Sequence, residues 1–189
     1  MIPSKNDARV PSEGETIREF DQGPLAGVRI VRLPANQVQR CRPLWKVMFD
    51  QHLRLGAPLP PRSFQEAWRM RTANYEKWLR LPDTFVLGAI KDGDLVGFVL
   101  TRPYGVSDTW QTQDRVAMME SIALRPEWQG KGLGSAMMDE VERQLLLRGI
   151  HDVYVDVEPA NTAALRLYER RGYELTSCIL HVEAKDRPA

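Results

Sequence analysis

The chain has 189 residues, of which 43% are apolar and 27% charged. That balance excludes a disordered polypeptide and allows one domain-sized core without disulfides or structural metal. Twenty-six Lys and Arg against 25 Asp and Glu leave a net charge of +1, which argues against a general nucleic-acid or membrane-surface binder. No apolar run approaches the ~18 residues of a membrane span, and the first 23 residues lack the apolar stretch of a secretory leader. Cys41 and Cys178 stand far apart with no CxxC pair. The expectation is therefore a cytoplasmic protein without metal, nucleic acid or membrane among its partners.

Residues 1–23 are polar and without a period that could bury a face, so they are expected to form a mobile arm, or else a segment folded over a neighbour, before a single domain over 24–186. Val28, Ile30 and Arg32 alternate with Arg29, Val31 and Leu33, a first strand that Pro34 ends. Val38, Cys41, Leu44, Trp45, Met48 and Phe49 recur at spacings of three and four, a helical stripe over 36–55 that Pro43 starts or interrupts. Ser63 followed by Glu66 reads as a capping box opening a helix to about Leu81, before Pro82. Phe85–Ile90 and Leu95–Leu100 flank Asp92-Gly93, a type I′ hairpin signal. A polar loop over 102–114 leads to a strand over 115–124. The order then becomes helix (132–148, stopped by Gly149), strand (151–157), helix (161–171) and terminal strands (173–176 and 178–183). Such a chain is α/β in class: an antiparallel meander running into a βαβ unit, one mixed sheet with helices on both faces.

The segment Arg125-Pro-Glu-Trp-Gln129-Gly130-Lys131-Gly132-Leu133-Gly134-Ser135 joins a strand to a helix. At that place free amide groups and the helix dipole attract phosphate, and bare glycines let a diphosphate approach the main chain. Lys131 and Ser135 would add a charge and a hydroxyl. The Walker pattern finds no match, and the dinucleotide pattern fails at Ser135 from Gly130 and at Met137 from Gly132. What remains is Gln-x-x-Gly-x-Gly at Gln129, Gly132 and Gly134. This resembles the coenzyme A loop of the GNAT superfamily of N-acetyltransferases. The preceding Glu120-Ser-Ile-Ala-Leu-Arg-Pro126, the later Glu158-Pro-Ala-Asn161, and Ala-Leu-Arg-Leu-Tyr168-Glu-Arg-Arg-Gly172-Tyr173 fall in that family's order. The resemblance is specific over residues 115–176.

The resemblance implies acetyl-CoA as co-substrate and transfer of its acetyl group to a primary amine in a ternary complex. It places residues 129–135 (Gln129, Gly130, Lys131, Gly132, Leu133, Gly134, Ser135) around the diphosphate. It also places main-chain groups of Ile122, Ala123 and Leu124, and the Asn161 amide, along the pantetheine arm. Asn161 and Tyr168 lie seven residues apart, two helical turns and roughly 10.5 Å, on one helix face. A phenol with an ordinary pKa near ~10 is protonated at pH 7, and in the family the matching tyrosine often protonates the departing sulfur, so Tyr168 is the candidate acid. Glu120 is the candidate base. It shares strand parity with Met118, Ile122 and Leu124, where an unpaired carboxylate is costly and its pKa would rise; pairing with an arginine, or being turned outward by a bulge, is the plain alternative.

The histidines at 52, 151 and 181 read as surface or strand residues, the methionine pairs 118–119 and 137–138 as core, and Arg170-Arg171 as a response to the helix dipole. The acceptor site would fall in 41–66, with Trp45, Phe49, His52, Pro58 and Phe64, and in 102–114, with Tyr104, Asp108 and Trp110. Those aromatics suit a small amine, a peptide amino terminus or a homodimer contact. A coenzyme-A-binding sensor on the same fold is the other reading.

Overall fold

The computed structural model describes residues 9–56 and 59–181. Its frame is one six-stranded mixed sheet whose strands lie side by side in chain order. β1 (Thr16–Glu19), β2 (Arg29–Leu33), β3 (Phe85–Lys91), β4 (Asp94–Tyr104) and β5 (Val116–Leu124) pair antiparallel. β6 (Asp152–Val155) joins β5 in parallel. The crossover between those last two is α3 (Leu133–Leu146), and α4 (Thr162–Arg170) follows. α1 (Arg42–Leu55) and α2 (Phe64–Trp78) lie between β2 and β3 in sequence. No helix among the described residues is long and apolar enough to cross a membrane.

Two cores cover the two faces. One packs Leu133, Met137, Val141 and Leu145 of α3 and Tyr168 of α4 against Val28, Phe85, Leu87, Val99 and Met119. The other packs Leu44, Trp45, Trp68 and Tyr75 of α1 and α2 against Val86, Phe98, Leu100 and Ala123. β3 and β4 are buried on both faces, as continuous apolar runs between two helical layers should be. Asp92 and Gly93 both carry positive φ, 51° and 86°, the signature of the type I′ turn. The Ser63 hydroxyl accepts from the Glu66 amide as an N-cap. Pro43 falls in the first turn of α1, where its missing N–H leaves no bond unmade.

Four expectations change. Part of the expected arm is ordered: Thr16–Glu19 form the edge strand β1, Gly14 N donates to Arg32 O at 2.7 Å, and Phe20 N to Val28 O at 3.0 Å. Main-chain pairing holds this strand, with Ile17 and Phe20 alone against the core, so its sequence shows almost no period; residues 1–8 lie outside the described part. β4 runs on to Tyr104 rather than yielding to a loop at 102. Pro103 is tolerated there because pairing with β3 has ended at Thr101, leaving that edge with no ladder bond to lose. The expected strand 151–157 shortens to four residues. The terminal strands do not form: residues 173–181 are unpaired, with Ile179 89% and Leu180 94% exposed. Residues 182–183 of the second of these lie outside the described part.

Candidate active site

The glycine loop descends from the end of β5. Arg125 N donates to Val96 O at 2.9 Å, and a single 3-10 turn over Pro126–Trp128 leads to two left-handed residues, Gly130 (φ 72°) and Gly132 (φ 88°). A side chain at either would be strained, and no atom lies within 4 Å of where its Cβ would sit. Space therefore stands open beside the backbone. The first helical bond of α3 runs from Ala136 N to Gly132 O, so the amides of Leu133, Gly134 and Ser135 have no partner within the helix. No acidic residue occupies the first turn. Together these features form an anion cradle at the positive end of a 14-residue helix.

The named side chains contribute unequally. Leu133 is fully buried in the core, so it offers only its amide. The Gln129 side-chain amide donates to Leu124 O at 3.4 Å, and the Lys131 ammonium lies 5.2 Å from the Trp128 ring centroid.

Beyond this cradle the sheet forks. Pairing between β5 and β6 ends at Met119 opposite Val155, whereas β4 stays paired with β5 as far as Leu124. One main-chain edge of residues 120–124 thus faces no strand, and the opening leads from the glycine loop back to the fork. Ile122 and Leu124 pack toward the α3 core and Ala123 toward the α1–α2 core. What these three present to the opening is main chain.

A bulge between β4 and β5 overturns the parity expected for Glu120. Leu100 pairs with Ser121 and Thr101 with Met119, so Glu120 is an extra residue without a partner on β4. The bulge reverses the alternation, and Glu120 and Ser121 both face α2. Tyr75 and Ser121 share a hydrogen bond of 2.5 Å, and Glu120 is held by Arg102 and Arg71. Arg102 Nε donates to Oε1 at 2.6 Å and Arg71 Nη1 to Oε2 at 3.4 Å. Arg102 also lies over the Trp78 ring, 4.8 Å from its centroid, and over Tyr104 at 5.4 Å. Each oxygen of this carboxylate thus carries an ion pair, the Arg102 one much the shorter. The geometry makes it an anchor for two arginines.

On the other side of the opening, Asn161 caps α4. Its Oδ1 accepts from Ala164 N at 3.2 Å and from Gln51 Nε2 of α1 at 3.3 Å, leaving its amide nitrogen for a ligand. α4 ends in a Schellman motif: Tyr173 N donates to Tyr168 O at 3.1 Å, Gly172 N to Glu169 O at 3.0 Å, and Gly172 has φ 82°. The accompanying apolar contact is Tyr168 against Tyr173, ring centroids 5.6 Å apart. Arg171, beyond the role expected of the dipole, ties this end to α3 through Asp139 and Glu142, each at 2.8 Å. Tyr168 is therefore fixed at both ends of its helix. Burial pushes its phenol up to about 12, so it stays protonated at neutral pH.

His52, read from sequence as a surface or strand residue, is exposed in the last turn of α1, with part of its ring shielded from water. Burial lowers its pKa below the ordinary imidazole value, with Glu158 and Asp156 opposing from the β6–α4 loop and Arg71 of α2 reinforcing. It is thus neutral at pH 7. Arg71 was also missed, although a signal existed: it lies three residues after Trp68 and four before Tyr75, on the buried face of α2.

The expected acceptor aromatics divide. Trp45 is buried, tilted against Trp68 at 5.5 Å with Phe49 and Phe64 around it, and belongs to the core. Tyr104 is exposed and leans on Tyr154 of β6 at 5.6 Å, beside the fork. Trp110 is exposed in a loop whose shallow hollow, lined by Val106, Ser107, Trp110 and Asp114, is built from that loop alone. Pro58 lies outside the described residues.

The acetyltransferase (GNAT) family matches residues 49–173, from the last turns of α1 through Tyr173. The chain belongs to the GNAT family. Among curated relatives it is 34% identical over 100 residues to a mycothiol acetyltransferase of Nocardiopsis dassonvillei, covering 53% of this chain and 30% of that protein. It is 28% identical over 194 residues to that of Thermobispora bispora, covering 85% and 63%. The chain thus spans about a third to two thirds of the length of these relatives. Among solved structures, aminoglycoside N-acetyltransferase AAC(6')-Iy in complex with CoA superposes with a TM-score of 0.64 at 18% identity, over 84% of this chain and 95% of that one. A ribosomal-protein-alanine N-acetyltransferase from Brucella melitensis gives 0.56 at 20% identity, over 82% and 99%. At those identities the likeness is one of fold, and the fold is shared by proteins named for different acceptors.

Proposed function

We propose that the chain is an acetyl-CoA-dependent N-acetyltransferase acting on a primary amine by direct attack in a ternary complex. The observation that carries this reading is the continuity of the site. The amide cradle at α3 opens into the gap between β5 and β6, which ends at the fork beside Glu120, with α4 along its other side. The diphosphate of the co-substrate fits the amides of residues 133–135, and its pantetheine arm fits the free edge of residues 120–124 together with the Asn161 amide.

The reaction joins the amine nitrogen to the acetyl carbon, breaks the carbon–sulfur bond and releases a thiolate, which takes up the second proton that nitrogen loses as the amide forms. The amine must first lose a proton, since an ammonium near the lysine value of ~10.4 is charged at neutral pH. His52, neutral and at the mouth of the opening, is the group we assign to take it, directly or through water. Tyr168 faces the other end of the reaction. A phenol at about 12 would lose roughly 5 kcal/mol by full transfer to a thiolate of ordinary pKa ~8.5. Its role is therefore to donate a hydrogen bond to the charge developing on sulfur, a contact stronger in the transition state than in the ground state.

Calorimetric titration of acetyl-CoA against the wild type and Gly132→Trp tests the assignment. Binding by the wild type and its loss in the variant, whose fold is checked by circular dichroism, is the expected result; equal binding, or none to either, rejects it. Tyr168→Phe should lower turnover at least tenfold while coenzyme affinity holds.

A further inference from the structure

Arg71 is bound more loosely than its surroundings lead one to expect. Glu120 is shared between two guanidiniums, and Arg102 takes the better part of it: two nitrogens on Oε1, at 2.6 and 2.5 Å, against a single Arg71 contact at 3.4 Å. The remaining Arg71 N–H groups make no hydrogen bond among the described residues. Its side chain is 29% exposed, which leaves it reachable from the fork. Next to it lies a second unused donor. The indole nitrogen of Trp45 is buried with no hydrogen-bond partner, and the Arg71 guanidinium carbon lies 5.9 Å from that ring's centroid. A buried donor left unpaired costs about 1–3 kcal/mol, so the Trp45 N–H, beside a half-buried guanidinium with donors to spare, indicates a polar group that completes the site.

Charge says what that group is. Arg71 and Arg102 face one carboxylate, Glu120, which leaves this side of the opening a net positive charge. The acidic side chains of the region, Asp156 and Glu158, lie across the gap on the β6–α4 loop, where they act on His52. His52 is seven residues, two helical turns, after Trp45 on α1, so both lie on the face turned toward Arg71. The arrangement is bipolar: donors for an anion on one side, a neutral base and carboxylates for an ammonium on the other.

We propose that Arg71, with the Trp45 indole N–H, is an acceptor-specificity site for a carboxylate, so that the amine acetylated is amino-acid-like rather than a polycation. This rests on the N-acetyltransferase reading above. A planar guanidinium fork matches a carboxylate in shape as well as in charge. A polycationic acceptor would instead bring like charge against Arg71 and Arg102.

The test uses matched pairs of primary amines that differ only in the acid, each ω-amino acid of three to six carbons against its amide, assayed by thiol release with acetyl-CoA. The wild type should favour the acid of at least one pair tenfold or more in kcat/KM, carried mainly by KM. Arg71→Met should bring that ratio to near one, and Arg71→Lys should restore part of it. A wild-type ratio of one or below in every pair, or a preference retained in Arg71→Met, overturns the proposal. Should Arg71→Met fail to fold, Trp45→Phe removes the N–H while keeping an aromatic ring in the core, and an unchanged ratio there overturns it equally. If no amine is acetylated, the enzymatic reading fails by itself. Binding of the same acids and amides to the CoA complex, followed by thermal shift, then decides this proposal separately: preference for the acid supports it, and equal binding or none overturns it.

Discussion

Replacing Glu120 by Gln separates an anchor from a base. The side chain is 14% exposed and its main partner, Arg102, 19%, so the pair lies between two limits. An exposed pair contributes about 0–1 kcal/mol, and breaking a buried one costs about 3–5 kcal/mol. Gln preserves the shape and one acceptor oxygen, so Arg102 keeps a hydrogen bond and loses its counter-charge. The loss should be about 2 kcal/mol, which for a domain of this size lowers Tm by roughly 4–8 °C. Urea unfolding followed by circular dichroism measures it, and a double-mutant cycle with Arg102→Met should show the two changes to be strongly non-additive. In the enzymatic assay the acidic limb of the pH–rate profile should survive, with turnover reduced less than tenfold through the loosened Arg102–Tyr104 contact. A general base would behave in the opposite way, with turnover falling about 10²–10⁴-fold and the limb flattening. Stability unchanged within 0.5 kcal/mol (well below the ~2 expected), together with that kinetic loss, would refute the reasoning.

Alkaline pH should expose the burial of the tyrosines. In the unfolded chain a phenol ionises near ~10, whereas folded Tyr168 holds its proton to about 12 and Tyr75 is also pushed up by burial. Their contribution is complete below pH 10 and is lost as pH rises toward 12, by up to ~1.4 kcal/mol per pH unit for each group. Urea midpoints at pH 9, 10 and 11 should therefore fall more steeply for the wild type than for Tyr168→Phe; parallel slopes would contradict the burial argument. For His52→Gln, the fall in kcat/KM on the acid side, expected below the ordinary imidazole value, should disappear, while acetyl-CoA affinity measured by calorimetry is unchanged. An intact limb would remove His52 from the proton path. Gly172→Ala should cost about 1–2 kcal/mol because alanine is strained at φ 82°, and because this residue closes the turn that seats Tyr168, coenzyme turnover should fall with it.

What the amino-acid sequence determined by itself is what depends on local chemistry. Positive φ at Gly130 and Gly132 could be filled without strain only by glycine, Asp92-Gly93 could turn only one way between two apolar runs, and Ser63 three residues before Glu66 capped a helix. These are contacts between near neighbours, and the chain carries them wherever it goes. The α3 and α4 stripes and the seven-residue spacing from Asn161 to Tyr168 belong to the same class.

Tertiary structure decided the matters that rest on residues far apart. The bulge at Glu120 arises from the register between β4 and β5, and one unpaired residue turned a carboxylate expected beside Ile122 toward Arg71, 49 positions away. β1 holds by main-chain bonds to β2, which leave no mark on side-chain pattern. Whether Tyr104 and Trp45 lined a site or filled a core depended on where α1, α2 and β6 came to rest. The place where β5 parts from β6 likewise depends on the packing of α3 and α4, and with it the direction in which any acyl group is presented.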